Sequence, residues 1–219
     1  MSNASFRPAA VLLLLFAMSG APAPRLRGQQ VSGPAPRGHV LGSVVYDGDL
    51  AGLLQHLAEE FGVTIGFEAD HRQPRPRIKF ELRDATLQDV LDAIVRARPA
   101  YQWRQDGGFI DVYPVRGGSP LLDTVIGRFQ VSGANWAEAS DALLSLPEVR
   151  SSLSANRLGR REAGRGPAGR GGDVFSLYVE NVPVRRALHE IAKRSGSHLW
   201  VFRQYGDGEK SFSLGNSSR

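Results

Sequence analysis

Residues 78–112, IKFELRDATLQDVLDAIVRARPAYQWRQDGGFIDV, decide the fold. Ile78, Phe80 and Leu82 alternate with charged residues, the period-two pattern of a strand with one buried face. Thr86 then stands where a helix N-cap is wanted, ahead of Leu87, Val90, Leu91, Ile94 and Val95 at helical spacing. Pro99 ends that helix, and Asp106-Gly107-Gly108 between Tyr101–Arg104 and Phe109–Tyr113 reads as a hairpin turn. The segment is therefore strand, helix, hairpin.

Upstream, Val40–Tyr46 is strand-like and Asp47-Gly48-Asp49 is a turn, with Asp49 able to cap a helix. Leu50, Leu53, Leu54, Leu57 and Phe61 form its apolar stripe, Gly62 suits its C-terminus, and Val63–Phe67 is a strand. Together with the deciding segment this gives β-α-β followed by β-α-β-β, a module over 40–115. Right-handed crossovers place both helices on one face of a small mixed sheet. The opposite face is then solvated or open to a partner.

Downstream, the plan repeats. Shifting by 97 residues sets Ile78 on Phe175, Leu82 on Val179, Leu91 on Leu188, Ile94 on Ile191 and Trp103 on Trp200, with no gap. Pro183 suits the first position of the second copy's helix, and Gly206-Asp207-Gly208 supplies its hairpin turn. The preceding half aligns more weakly at a shift of 86, with Leu50 on Trp136, Leu57 on Leu143 and Val63 on Val149. The expected class is α+β, two tandem β-α-β-β-α-β(β) modules at 40–115 and 124–214.

The ends and the interruptions carry a different composition. Arg7 followed by the apolar run Ala9–Met18 reads as a signal peptide over 1–21, too short to span a bilayer. Pro, Gly and Arg dominate 22–39, which reads as a disordered linker. Export to the periplasm or outer membrane of a bacterial envelope is the expectation, with no integral membrane span. The absence of cysteine excludes disulfides, thiolate metal sites, thiol nucleophiles and a lipoprotein anchor.

Residues 157–172, RLGRREAGRGPAGRGG, hold Arg157, Arg160, Arg161, Arg165 and Arg170 against one Glu, and most of the formal charge of +5. This loop is a candidate for binding an anionic lipid surface or cell-wall polymer. It is equally the composition of a solvated disordered linker: Arg outnumbers Lys 24 to 3 along the whole chain. It has no aromatic residue to stack on a base, and the remainder of the chain is near neutral, which argues against nucleic acid.

No catalytic, cofactor-binding or metal constellation stands out. No His pair among His39, His56, His71, His189 and His198 has ligand spacing on one helix. His56 and His189 read as exposed helix residues, and His198 as a strand position matching Tyr101. Glu59-Glu60 and Asp89/Asp92 are explained by solvated helix faces and caps, and GDGEKS (206–211) is a hairpin turn rather than a phosphate loop. Trp103 and Trp200 are either core residues over the helix–sheet contact or anchors on the open sheet face.

LAGLLQHLAEEFGVTIGFEAD (50–70) and the deciding segment resemble the short N-terminal domain shared by secretins and TonB-dependent receptors (the STN domain). Residues 174–202 fit the later part of that pattern. The resemblance implies a non-enzymatic periplasmic docking module that contacts other envelope proteins. The sequence departs from the family in ending after the modules, so no pore or receptor barrel is implied. Two alternatives stay open: the anionic-surface binder, and a small cell-wall enzyme.

Overall fold

A computed structural model describes residues 41–69, 77–116, 118–160, 173–205 and 210–217, all within one unit, Val31–Arg219. The chain begins with β1 (Leu41–Asp49), α1 (Leu50–Phe61) and β2 (Thr64–Ala69). Asp49 caps α1 by accepting the Gly52 amide at 2.7 Å, and Gly62 closes it in the left-handed region at φ 61°. β3 (Arg77–Ala85) leads into α2 (Leu87–Ala97), whose start is fixed by a reciprocal capping box between Thr86 and Asp89. β4 (Tyr101–Asp106) and β5 (Phe109–Pro114) form the expected hairpin, with Gly107 and Gly108 both at positive φ in its turn.

The second half follows the same plan with one insertion. β6 (Val125–Ala134) precedes α3 (Trp136–Leu144), capped by an Asn135–Glu138 box. An extra helix, α4 (Pro147–Ala155), then occupies the place where the weaker alignment puts a strand at Val149. Leu146 is extended and Pro147 takes the first helical turn, so the chain restarts a helix instead of entering the sheet. A three-residue strand, β7 (Leu158–Arg160), comes only afterwards. β8 (Phe175–Pro183), α5 (Val184–Arg194), β9 (Leu199–Tyr205) and β10 (Lys210–Ser217) complete the chain. Pro183 ends β8 and occupies the N-cap of α5, one position before the expected one. The turn at 206–209 lies outside the described residues.

The described strands fall into three sheets. β1 pairs antiparallel with β3, and β6 with β8, as two separate ribbons. The other six form one mixed sheet in the order β4-β5-β2-β9-β10-β7. Within it the halves use the same pairings: β2 lies parallel to β5 and β7 parallel to β10, while β4–β5 and β9–β10 are antiparallel hairpins. The halves meet where β2 runs parallel to β9, Ile65 opposite Leu199 and Ala69 opposite Arg203.

Strand alternation explains how one sheet serves two cores. Leu199 packs into the first half's cluster with Ile65, Ile110, Val112 and the α1 leucines. Its neighbours Trp200 and Phe202 belong to the second half's cluster, with Leu188, Ile191 and Phe212. The first half's core, with α1 and α2, therefore lies on one face of the shared sheet, and the second half's core, with α5, on the other. The back of the first half's strands, expected to be solvated or free for a partner, is in part covered by the second half: α5 packs on β2.

Candidate functional site

The seam between the halves holds a buried charged cluster. Register sets Asp111 of β5, Gly66 of β2 and Trp200 of β9 side by side. All three face α5, as does Glu68 two residues along β2. Arg185 and His189 lie one turn apart on α5 and reach down to this row. His189 Nε2 is 2.8 Å from Asp111 Oδ1, and Arg185 stands 3.7 Å from the same oxygen and 3.5 Å from Glu68 Oε2. Arg185 also reaches Asp123 at 3.2 Å, Arg104 Nε donates to Asp111 Oδ2 at 3.1 Å, and the Ser119 amide donates to Glu68 Oε1. Tyr113 is flanked by the guanidiniums of Arg104 and Arg185.

Glu68, Asp111, Arg185 and His189 are each 5 % exposed or less, so their charges interact at low dielectric. Burial pushes the Asp111 carboxyl up, but the His189 hydrogen bond and the charges around it outweigh this and hold it below its ordinary range. Burial raises Glu68 against the Ser119 amide and Arg185. Burial also opposes charge on Arg185, yet Asp111, Asp123 and Glu68 together keep it firmly protonated. Burial lowers His189, favouring the neutral ring. A neutral ring donates from Nε2 to Asp111 and leaves Nδ1 with a lone pair.

A histidine–carboxylate pair is the core of many acid–base sites, in which the second ring nitrogen faces the substrate. Here that nitrogen is buried and unpartnered, as are Trp200 Nε1 and Ser119 Oγ. The His189 ring stacks on Phe109 at 4.7 Å and meets the Trp200 edge at 5.2 Å. The cluster consequently ties α5 of one half to β2 and β5 of the other. Sequence reasoning takes His189 for an exposed helix residue; it is 3 % exposed because its face of α5 packs on the first half's strands. The available signal is the charge inside two apolar strands, Glu68 in TIGFEA and Asp111 in FIDVYP.

Of the sequence-predicted site residues, Arg157, Arg160, Trp103 and Trp200 are described. Arg157 is in the left-handed region at φ 52°, and Arg160 is ion-paired with Asp141 at 2.6 Å. Arg161, Arg165 and Arg170 lie outside the described residues, as do His39 and His71. Trp200 is fully buried, and Trp103 is half-buried with Nε1 donating to Asp92 at 2.9 Å. The two indoles have matching neighbours, since Asp92 and His189 are also 97 residues apart. His56 is exposed on α1, and the His198 carbonyl accepts the Ile65 amide at 2.9 Å across the seam. Among the described residues no three His, Asp or Glu side chains are grouped to hold a metal ion, and no helix is long and apolar enough to cross a membrane.

No family model and no curated protein matches the chain. The geometry alone therefore has to point to accessible surfaces. One is the outer edge of β4, which among the described residues pairs with β5 only. The Val115 amide donates to the Ala100 carbonyl at 2.9 Å, which sets the alternation. Gln102, Arg104 and Asp106 exchange main-chain bonds with β5, while Trp103 and Gln105 point theirs outward. β4 contains no Pro or bulge of the kind that blunts an edge, and its charged residues, Arg104 and Asp106, stand at the positions bonded to β5.

Proposed function

We propose that the chain is a non-enzymatic docking module of the bacterial cell envelope that takes up an extended segment of another envelope protein along β4. The outer edge of β4, unpaired among the described residues, carries this reading: a six-residue strand at the end of a six-stranded sheet, with outward main-chain groups at Trp103 and Gln105. Such an edge binds by strand addition, main-chain bonds supplying affinity and flanking side chains supplying selectivity. Trp103 lies on the face that an added strand would extend, with its indole already oriented by Asp92. The resemblance of residues 50–70 and 78–112 to the secretin and TonB-receptor short domain supports an envelope partner and export to the periplasm.

Gln105→Pro tests the edge without breaking the hairpin, because the proline nitrogen replaces an outward amide. A photoreactive residue at Asp106, the exposed end of β4, is expected to give a discrete protein adduct in cells that export the chain. Gln105→Pro in the same chain should abolish it while leaving the melting temperature within a few degrees. An adduct that persists unchanged beside the introduced proline ring, or no adduct at all, contradicts the proposal.

A further inference from the structure

The opposite face of the sheet, at the second half's strands, holds a different surface. α1 covers only part of β9 and β10, and a groove of about 360 Å³ remains between them. Leu199, Val201 and Arg203 succeed one another on its floor at every second position of β9. Arg203 pairs across the hairpin with Ser213, and Val201 with Gly215.

Two observations mark this groove as built to admit something. Gly215 sits inside a strand, where glycine weakens the sheet unless something approaches closely. Its φ is not in the left-handed region and a Cβ there would meet nothing within 4 Å, so the fold itself has no need of glycine. By contrast, a Cβ on Gly66 would strike Trp200. The second observation is Arg203. Arg203 is half-buried, and among the described residues its guanidinium has no ion pair or hydrogen bond. Asp49, the other charged group on the rim, is committed to the Gly52 amide.

We infer that this groove binds a short extended peptide carrying a carboxylate, with an apolar residue over Val201 and the carboxylate on Arg203. The spacing fits: alternate side chains of an extended chain repeat every 6.5–7 Å or so, as the floor positions do. Charge complementarity sets the end: a guanidinium at the side of a half-apolar groove takes a carboxylate in a charge-assisted, two-pronged bond. This surface is separate from the β4 edge and does not depend on it.

The test is an amide-shift titration of the whole chain with two probes, acetyl-Val-Ser-Val-Ser-Glu-amide and its Gln counterpart, which set the acidic or amide side chain two residues beyond the second Val. The Glu peptide should shift the amides of Val201, Arg203 and Gly215 and bind about tenfold tighter than the Gln peptide. Gly215→Leu, which fills the floor, should abolish binding of both. Arg203→Gln should make the two peptides equal, and Gln105→Pro should leave both unaffected. Should Gly215→Leu fail to fold, the Arg203→Gln comparison decides alone. Equal binding of the two peptides to the unaltered chain, a preference that survives Arg203→Gln, absence of saturable shifts, or displacement of the peptide by equimolar acetate would each overturn the inference.

Discussion

Arg185→Met is expected to lower the stability of the whole chain by about 3–5 kcal/mol, measured by urea unfolding at neutral pH. Methionine keeps most of the side-chain volume, so the loss comes from charge. Arg185 is the cation that faces Glu68 and Asp111 together, and all three are buried. Removing it leaves Asp111 with Arg104 and His189, and leaves Glu68 with only the Ser119 amide. Neither carboxylate can relax into water without parting α5 from β2. Glu68→Gln added to Arg185→Met should recover part of the loss, because the orphaned charge goes with it. A loss under about 1 kcal/mol, the size of an exposed pair, would show that water reaches the seam.

Gly66→Ala should also destabilise the seam, although it adds a single methyl group. A Cβ at residue 66 would lie 2.3 Å from Trp200 Cζ2 and 3.0 Å from Asp111 Oδ1. The indole has nowhere to retreat: Trp200 is fully buried and set against His189. The seam must open or the ring must leave its rotamer, at a cost of about 1–3 kcal/mol or more. Trp200→Leu alone should cost about 2–5 kcal/mol through the space it empties. In the Trp200→Leu background, however, Gly66→Ala should be close to neutral, since the colliding atoms are gone. That non-additivity is the signature of a direct contact between the halves. Additive losses would mean that the indole does not sit on Gly66.

The local structure is legible in the sequence because its signals are local. The Thr86–Asp89 box, the cap at Asp49, the left-handed Gly62 and the paired glycines of the first hairpin each act within four residues. The strand, helix, hairpin order of the second half follows from the 97-residue shift. What escapes sequence reasoning depends on contacts between distant residues. The joining of β2 to β9 sets Gly66 against Trp200, 134 positions apart, and neither leaves a periodic trace. Glu68 and Asp111 follow the apolar Phe67 and Ile110 and so fall on the face expected to be solvated or open to a partner; that face meets α5 instead. Helical spacing assigns His189 to water because it identifies one apolar stripe, whereas α5 is covered on two sides. The three residues of β7 are too few to show any alternation, and α4 is hidden by an alignment that sets Val149 on a strand residue.

Amide hydrogen exchange along β2 tests most directly whether the halves share one sheet. The Ile65 amide donates to His198 across the seam, and parallel pairing directs the Phe67 amide the same way, while Gly66 and Glu68 bond toward β5. All four amides should exchange only through global opening, whereas those of Trp103 and Gln105 on the β4 edge should exchange far faster. Rapid exchange at Ile65 and Phe67, with Gly66 and Glu68 still protected, would make β2 an edge strand and contradict the shared sheet.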